Sequence, residues 1–274
     1  MRKNTGAVAL ITATVLYGLY GTYSRMIGVG FGVFTQAWVR DCIAAIISLT
    51  IVVLGRKWKN VQPADWKWIA VWIGVDTLSS VGIFVAFNKL EIGLAYFIFY
   101  VGIVVAGYVL GTLMWSEKLT RVKLMSLAAS VLGLGLLYSF GIHVADIGWF
   151  LLAFLSGCGI GSWNLIAKKF SSHYDGSEIV FLNSLLGFFL SVCIAMVRGE
   201  GMPHVAISVQ WLGILLYALS QQCTVWLVVY GFKHIGAQQG TLIMPLEAVW
   251  GAVFGFLFFD ESLSFSVVMG EYWF

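Results

Sequence analysis

Two stretches of twenty residues decide the fold: VGIVVAGYVLGTLMWSEKLT, residues 101–120, and PLEAVWGAVFGFLFFDESLS, residues 245–264. Aligned at an offset of 144, they share Gly107 with Gly251, Gly111 with Gly255, and a closing SEKLT with DESLS. At an offset of 143 the match extends outward, pairing Gly18 with Gly161, Trp68 with Trp211, and Ile92-Gly93 with Ile235-Gly236. Order is kept along the chain and a single one-residue gap suffices, so the chain is an internal duplication.

Each stretch is also a membrane span. About 20 mostly apolar residues cross a hydrocarbon core of roughly 30 Å. Segments at 5–24, 34–54, 67–87, 94–115, 122–140, 146–167, 178–197, 210–231 and 239–259 qualify. A tenth begins near Leu263 and stops at Phe274, about 18 Å of helix, which is too short to cross. The predicted fold is therefore an all-α polytopic membrane protein of two five-helix repeats, residues 1–140 and 141–274, with the last helix truncated. Five is odd, so the second copy enters the membrane from the opposite side. The halves are then inverted repeats, related by a two-fold axis in the bilayer plane, the architecture that lets carriers open a central site to either side.

Composition agrees. Hydrophobic residues make up 60% of the 274 and charged residues 11%, against about 45–50% and 25% in soluble domains. A water-soluble globule and a disordered coil are both excluded. The net charge of +3 comes from scattered cations that form no face able to neutralise phosphates, so no nucleic-acid partner is expected. Arg2 and Lys3 precede the first span as in a signal peptide, but the run is too long, lacks a cleavage site and is followed by eight more spans, so it reads as a retained helix. With the N-terminus cytoplasmic, twelve of the 16 Lys and Arg fall in inside loops, and only Arg25, Lys89 and Arg198 fall outside. That bias predicts a multi-pass protein of the plasma (inner) membrane with a cytoplasmic N-terminus. Cys42, Cys158, Cys193 and Cys223 lie in apolar stretches without a CxxC pair and read as packing residues.

The sequence resembles the drug/metabolite transporter superfamily, in particular its EamA-like ten-helix permeases, over nearly its whole length. The resemblance rests on Tyr17-Gly18 followed by Arg25, on Trp163 followed by Lys168, on Arg40 early in the second span, and on the proline-started ninth span that ends at Glu261. Two features depart from the pattern: Val101 replaces the proline of the fourth span, and Glu271 stands in the short tail where the repeat has Leu127. The resemblance implies a transporter, with amino acids or related metabolites as the leading substrate class and export as a candidate direction.

Ionisable side chains cost about 2.5–3.5 kcal/mol at the bilayer centre, so each one needs a partner, a wet cavity or a function. Asp76 lies near the middle of the third span, with Ser79 and Ser80 on its helical face. By the repeat, Leu78 and Ser79 correspond to Gln221 and Gln222. Glu247 follows Pro245, where a missing backbone donor frees a carbonyl. Arg40 is either an anion contact or an internal counter-ion, and Asp41 reads as structural. The predicted substrate contacts are Asp76, Gln221, Gln222, Glu247 and Arg40, walled by Trp163, Tyr20 and Tyr100; Tyr17, Tyr96, Asn164 and Trp226 are further candidates. The paired GxxxG motifs read as close helix packing, with spans four and nine against each other.

An enzyme is not expected. The four histidines lie in loops or at span ends, where no catalytic dyad or metal site can assemble at depth. The glycine-rich GCGIGS (157–162) follows no strand, so the phosphate-cradle reading fails. No cofactor is expected; the partners are a small-molecule substrate and membrane lipid, with a proton as candidate coupling ion and the oligomeric state open. The predicted function is a secondary transporter working by alternating access. A passive facilitator or channel, and a non-transporting scaffold or sensor, are the alternatives.

Overall fold

The structure is a computed structural model that describes residues 2–28, 31–56, 58–87, 89–90, 92–137, 147–170, 173–201, 205 and 207–259. The first repeat supplies α1 (Arg2–Ile27), α2 (Val33–Leu54), α3 (Pro63–Phe87), α4 (Ile92–Trp115) and α5 (Arg121–Leu137). The second supplies α6 (Ile147–Phe170), α7 (Gly176–Arg198), α8 (Val209–His234), α9 (Ala237–Ile243) and α10 (Leu246–Phe259). The expected tenth span from Leu263, with Glu261 and Glu271, lies outside the described residues, as do His143 and His204.

Among the described residues, seven segments are long and apolar enough to cross a membrane unaided. The other two expected spans are α3, a 25-residue helix that carries Asp76 in its middle, and α5, described over 17 helical residues. The ninth span is one rod with a break, because Pro245 has no N–H to continue the ladder. The chain recovers through tight bonds in which the Glu247 N–H donates to the Met244 carbonyl at 3.1 Å and the Ala248 N–H to that of Pro245 at 3.0 Å.

Helix contacts run mainly between the halves, and they obey the two-fold. Helix α1 packs antiparallel on α8, with Gly6 against Gly231 and Ile235 at one end and Ile27 against Gly213 at the other. Its mate, α6 on α3, is also antiparallel: Trp72 meets Trp163 and Phe170, while Gly82 meets Ser156. Parallel contacts are exchanged in the same way. Gly18 of α1 abuts Trp250 and Gly251 of α10, and the equivalent Gly161 of α6 abuts Ile103 and Ala106 of α4. Helices α2 and α7 pair antiparallel across the axis, Trp38 on Phe188 and Trp58 on Phe181. The inverted five-helix arrangement expected from the duplication is the fold.

Side chains from the opposite half cap two helix starts. Glu200 accepts from the Thr35 N–H of α2 at 2.7 Å. Glu117 accepts from the Ala237 and Gln238 N–H groups of α9 at 2.5 and 3.3 Å. A carboxylate there satisfies orphan donors and complements the helix dipole. On the Lys59 face, the Tyr174 hydroxyl donates to Asp65 at 2.9 Å and accepts from the Gln62 N–H. Burial raises its pKa above the usual phenol range, which keeps it a donor.

The glycines of GCGIGS pack helices. Gly157 and Gly161 let α6 touch the α4 backbone, and Gly159 lies against Ser79 of α3. A Cβ at Gly157 would sit 1.9 Å from the Phe99 carbonyl oxygen.

Candidate substrate cavity and its ion cluster

A cavity of about 220 Å³ lies between α1, α4 and α10. Tyr17, Tyr20, Tyr96, Tyr100 and Glu247 line its deep part, and it continues past Gly21, Gly251 and Gly255 to Arg25 and Phe259. Helical spacing builds these walls. Tyr17, Tyr20 and Gly21 are three and four residues apart on one face of α1, and Tyr96 and Tyr100 stack one turn apart on α4, with centroids at 6.0 Å. Glu247 sits in the first turn of α10, where the helix dipole favours a carboxylate, and it is hydrogen-bonded by Tyr100. Counted along the ninth span, it is near mid-membrane.

Behind the tyrosines lies a second polar group. Gln221 Nε2 donates to Asp41 Oδ1 at 2.7 Å. Arg40 Nε approaches the same oxygen at 3.8 Å, and its guanidinium lies over the Tyr217 ring at 4.4 Å. Tyr217 packs on Tyr20 at 4.4 Å and Tyr20 on Tyr17 at 5.1 Å, so an aromatic bridge joins cluster to cavity. The Tyr20 hydroxyl is buried beside Thr224 without meeting hydrogen-bond geometry. Asp76 is half-buried, makes no hydrogen bond among the described residues, and lies within electrostatic reach of Arg40, Asp41 and Tyr17. Three carboxylates thus share this depth with one guanidinium.

Of the residues expected from sequence, Tyr20, Tyr100 and Glu247 line the cavity, while Arg40, Gln221 and Asp76 form the layer behind it. Two others go elsewhere. Gln222 turns to α2, accepting from the Ser48 hydroxyl at 3.2 Å. Trp163 is 5% exposed, stacked on Trp72 at 5.5 Å, with its Nε1 donating to Asn183 at 3.2 Å, and it belongs to the apolar core. Trp226, 43% exposed, faces outward. Tyr217 was not anticipated, although it lies one turn before Gln221 on the same helical face. Asp41 is the hub of the cluster.

The repeat also relates the two ends of the molecule. At the cavity mouth Arg25 lies 4.5 Å over the ring of Phe259. Their equivalents, Lys168 and Trp115, form the same cation–aromatic pair at 5.3 Å at the opposite end. There the space is closed. Gly107 is pressed on Thr241 and Gly111 on Gln238, Lys123 Nζ donates to Gln238 Oε1 at 2.6 Å, and Lys168 Nζ donates to the Ile235 carbonyl at 3.1 Å. At the open end, a Cβ built on Gly251, the mate of Gly107, meets nothing within 4 Å. Asn164, the mate of the cavity residue Gly21, is 1% exposed, with both amide atoms lacking a partner.

A multi-pass helical protein of inverted repeats, with a tyrosine-walled cavity closed at one end, is a membrane transport protein in architecture. The family model described as the EamA-like transporter family matches residues 4–139 and again residues 147–271. The chain belongs to that family, and it is a membrane transporter of small solutes. No curated protein matches it significantly. Among 28 matching solved chains, one described only as "Crystal structure of protein" superposes with a TM-score of 0.83 at 14% identity, covering 98% of this chain and 94% of that one. At that identity the likeness concerns the fold alone.

Proposed function

We propose that this protein is a secondary carrier of the plasma (inner) membrane, N-terminus cytoplasmic, that moves a small organic metabolite by alternating access. An amino acid or related solute, exported, is the leading case. One observation carries the reading: the two GxxxG pairs are equivalent by the repeat, yet one is sealed and the other lines a cavity. Exchange of the two packings between the halves would seal Gly251 and Gly255, release Gly107 and Gly111, and expose Asn164 to water. Proton coupling through Asp76 or Glu247 is part of the proposal, with Arg40 as internal counter-ion to Asp41.

Counterflow in proteoliposomes tests the mechanism, since a carrier shows trans-stimulation and a channel does not. Asp76→Asn is expected to abolish concentrative flux while leaving membrane insertion and thermal stability near wild type. Wild-type flux in that variant removes Asp76 from the site.

A further inference from the structure

We propose that the cavity between α1, α4 and α10 is an ammonium site, which recognises its solute through a basic nitrogen held by Glu247 beneath tyrosine rings. The proposal rests on the carrier reading above and narrows its substrate class. Among the described residues, Glu247 is the one carboxylate lining the cavity. Arg25 is eight residues away from Tyr17 along α1, about 12 Å toward the mouth, and already lies over Phe259. Arg40, the other cation at this depth among the described residues, does not line the cavity. It is engaged by Asp41 and Tyr217, with Asp76 in electrostatic reach.

A carboxylate or phosphate entering this space would meet Glu247, while among the described residues Arg25 stands at the mouth over Phe259 and Arg40 is engaged behind the wall, and low dielectric magnifies the repulsion. An ammonium meets the reverse. Glu247 supplies the opposite charge, and the surrounding phenol rings offer the electron-rich faces to which organic cations are attracted. Size limits the solute further: about 220 Å³ is the space of roughly seven waters. That suits a small amine, or an amino acid gripped by its ammonium.

The test uses the full chain in liposomes and in detergent with four probes of matched shape: phenethylamine, phenylalanine, 3-phenylpropionate and 2-phenylethanol. Competition and thermal-shift titrations are expected to rank the amine at least tenfold tighter than the acid and the alcohol, with the amino acid between. Glu247→Gln should remove that preference and leave alcohol binding unchanged. If Glu247→Gln does not fold, Tyr17→Leu serves instead and should weaken the amine several-fold more than the alcohol. Acid or alcohol binding as tight as the amine, an unchanged preference in the variants, or no amine binding at millimolar concentration overturns the assignment. In each of these cases, surviving counterflow of another solute leaves the carrier reading standing; trans-stimulation absent for every solute overturns that reading instead.

Discussion

Gly107→Ala and Gly251→Ala are the same chemical change at positions equivalent by the repeat, and they should push the protein in opposite directions. A Cβ at Gly107 would lie 1.9 Å from Thr241 Oγ1 and 2.4 Å from its Cγ2. Thr241 cannot retreat easily: it is fully buried, β-branched, and its hydroxyl donates to the Ala237 carbonyl at 3.1 Å. Ordinary carbon contact is about 3.5–4.0 Å, so α4 and α9 must separate by roughly 1.5 Å at the seam. Overpacking of this kind costs about 1–3 kcal/mol. The cost falls on the conformation described here, which is closed at the end where Lys123 meets Gln238. The ratio of conformers should therefore shift about 5- to 150-fold toward the opposite state. At Gly251 an alanine meets nothing in this conformation, so its cost falls on the other one. The assay is maleimide labelling of Gly21→Cys from the outside, with the four native cysteines replaced. Gly21 is exposed on the cavity wall and its Cβ position is open. Labelling should fall with Gly107→Ala and hold or rise with Gly251→Ala. If both variants move labelling the same way, or Gly107→Ala folds and leaves it unchanged, the seams do not exchange and the alternating reading fails.

Other perturbations test the surrounding parts. Asp41→Ala removes the carboxylate nearest half-buried Arg40 and should lower Tm, while Arg40→Met with Asp41→Leu should lower it clearly less. Glu117→Gln weakens the charged cap on α9 by about 0.5–2 kcal/mol and should lower external labelling of Gly21→Cys. A Tm drop without a change in labelling would make Glu117 a stability residue only. Trp163→Phe loses the bond to Asn183, worth about 1 kcal/mol, and should lower Tm with solute Kd unchanged; a weaker Kd would return Trp163 to the cavity wall.

The candidate site was partly legible in the sequence, and the misses have physical causes. Charged residues inside apolar spans announce themselves by their cost, which is why Arg40, Asp76 and Glu247 stand out in the sequence. Aromatic residues carry no such signal. Tyr20 and Trp163 occupy equivalent positions, yet Tyr20 meets the cavity while Trp163 is stacked under Trp72 in the core. Leu78 and Gln221, paired by the repeat, also diverge: Leu78 is 74% exposed and Gln221 is buried on Asp41. Neighbouring Gln221 and Gln222 point 100° apart on α8, so one joins Asp41 and the other Ser48. Sequence position alone does not say which of them faces the axis.

Apolar length, the alternation of cations between loops and the 143–144-residue repeat were enough to determine helices and inversion, because lipid forces backbone hydrogen bonds inside each span; the family was legible only through the resemblance carried by particular residues such as Arg40 and the proline-started ninth span. Tertiary structure decided which copy of each repeated contact is shut. Two like halves can pack in two ways that share one sequence, and only side chains in place, Thr241 against Gly107 and open space at Gly251, distinguish the state adopted.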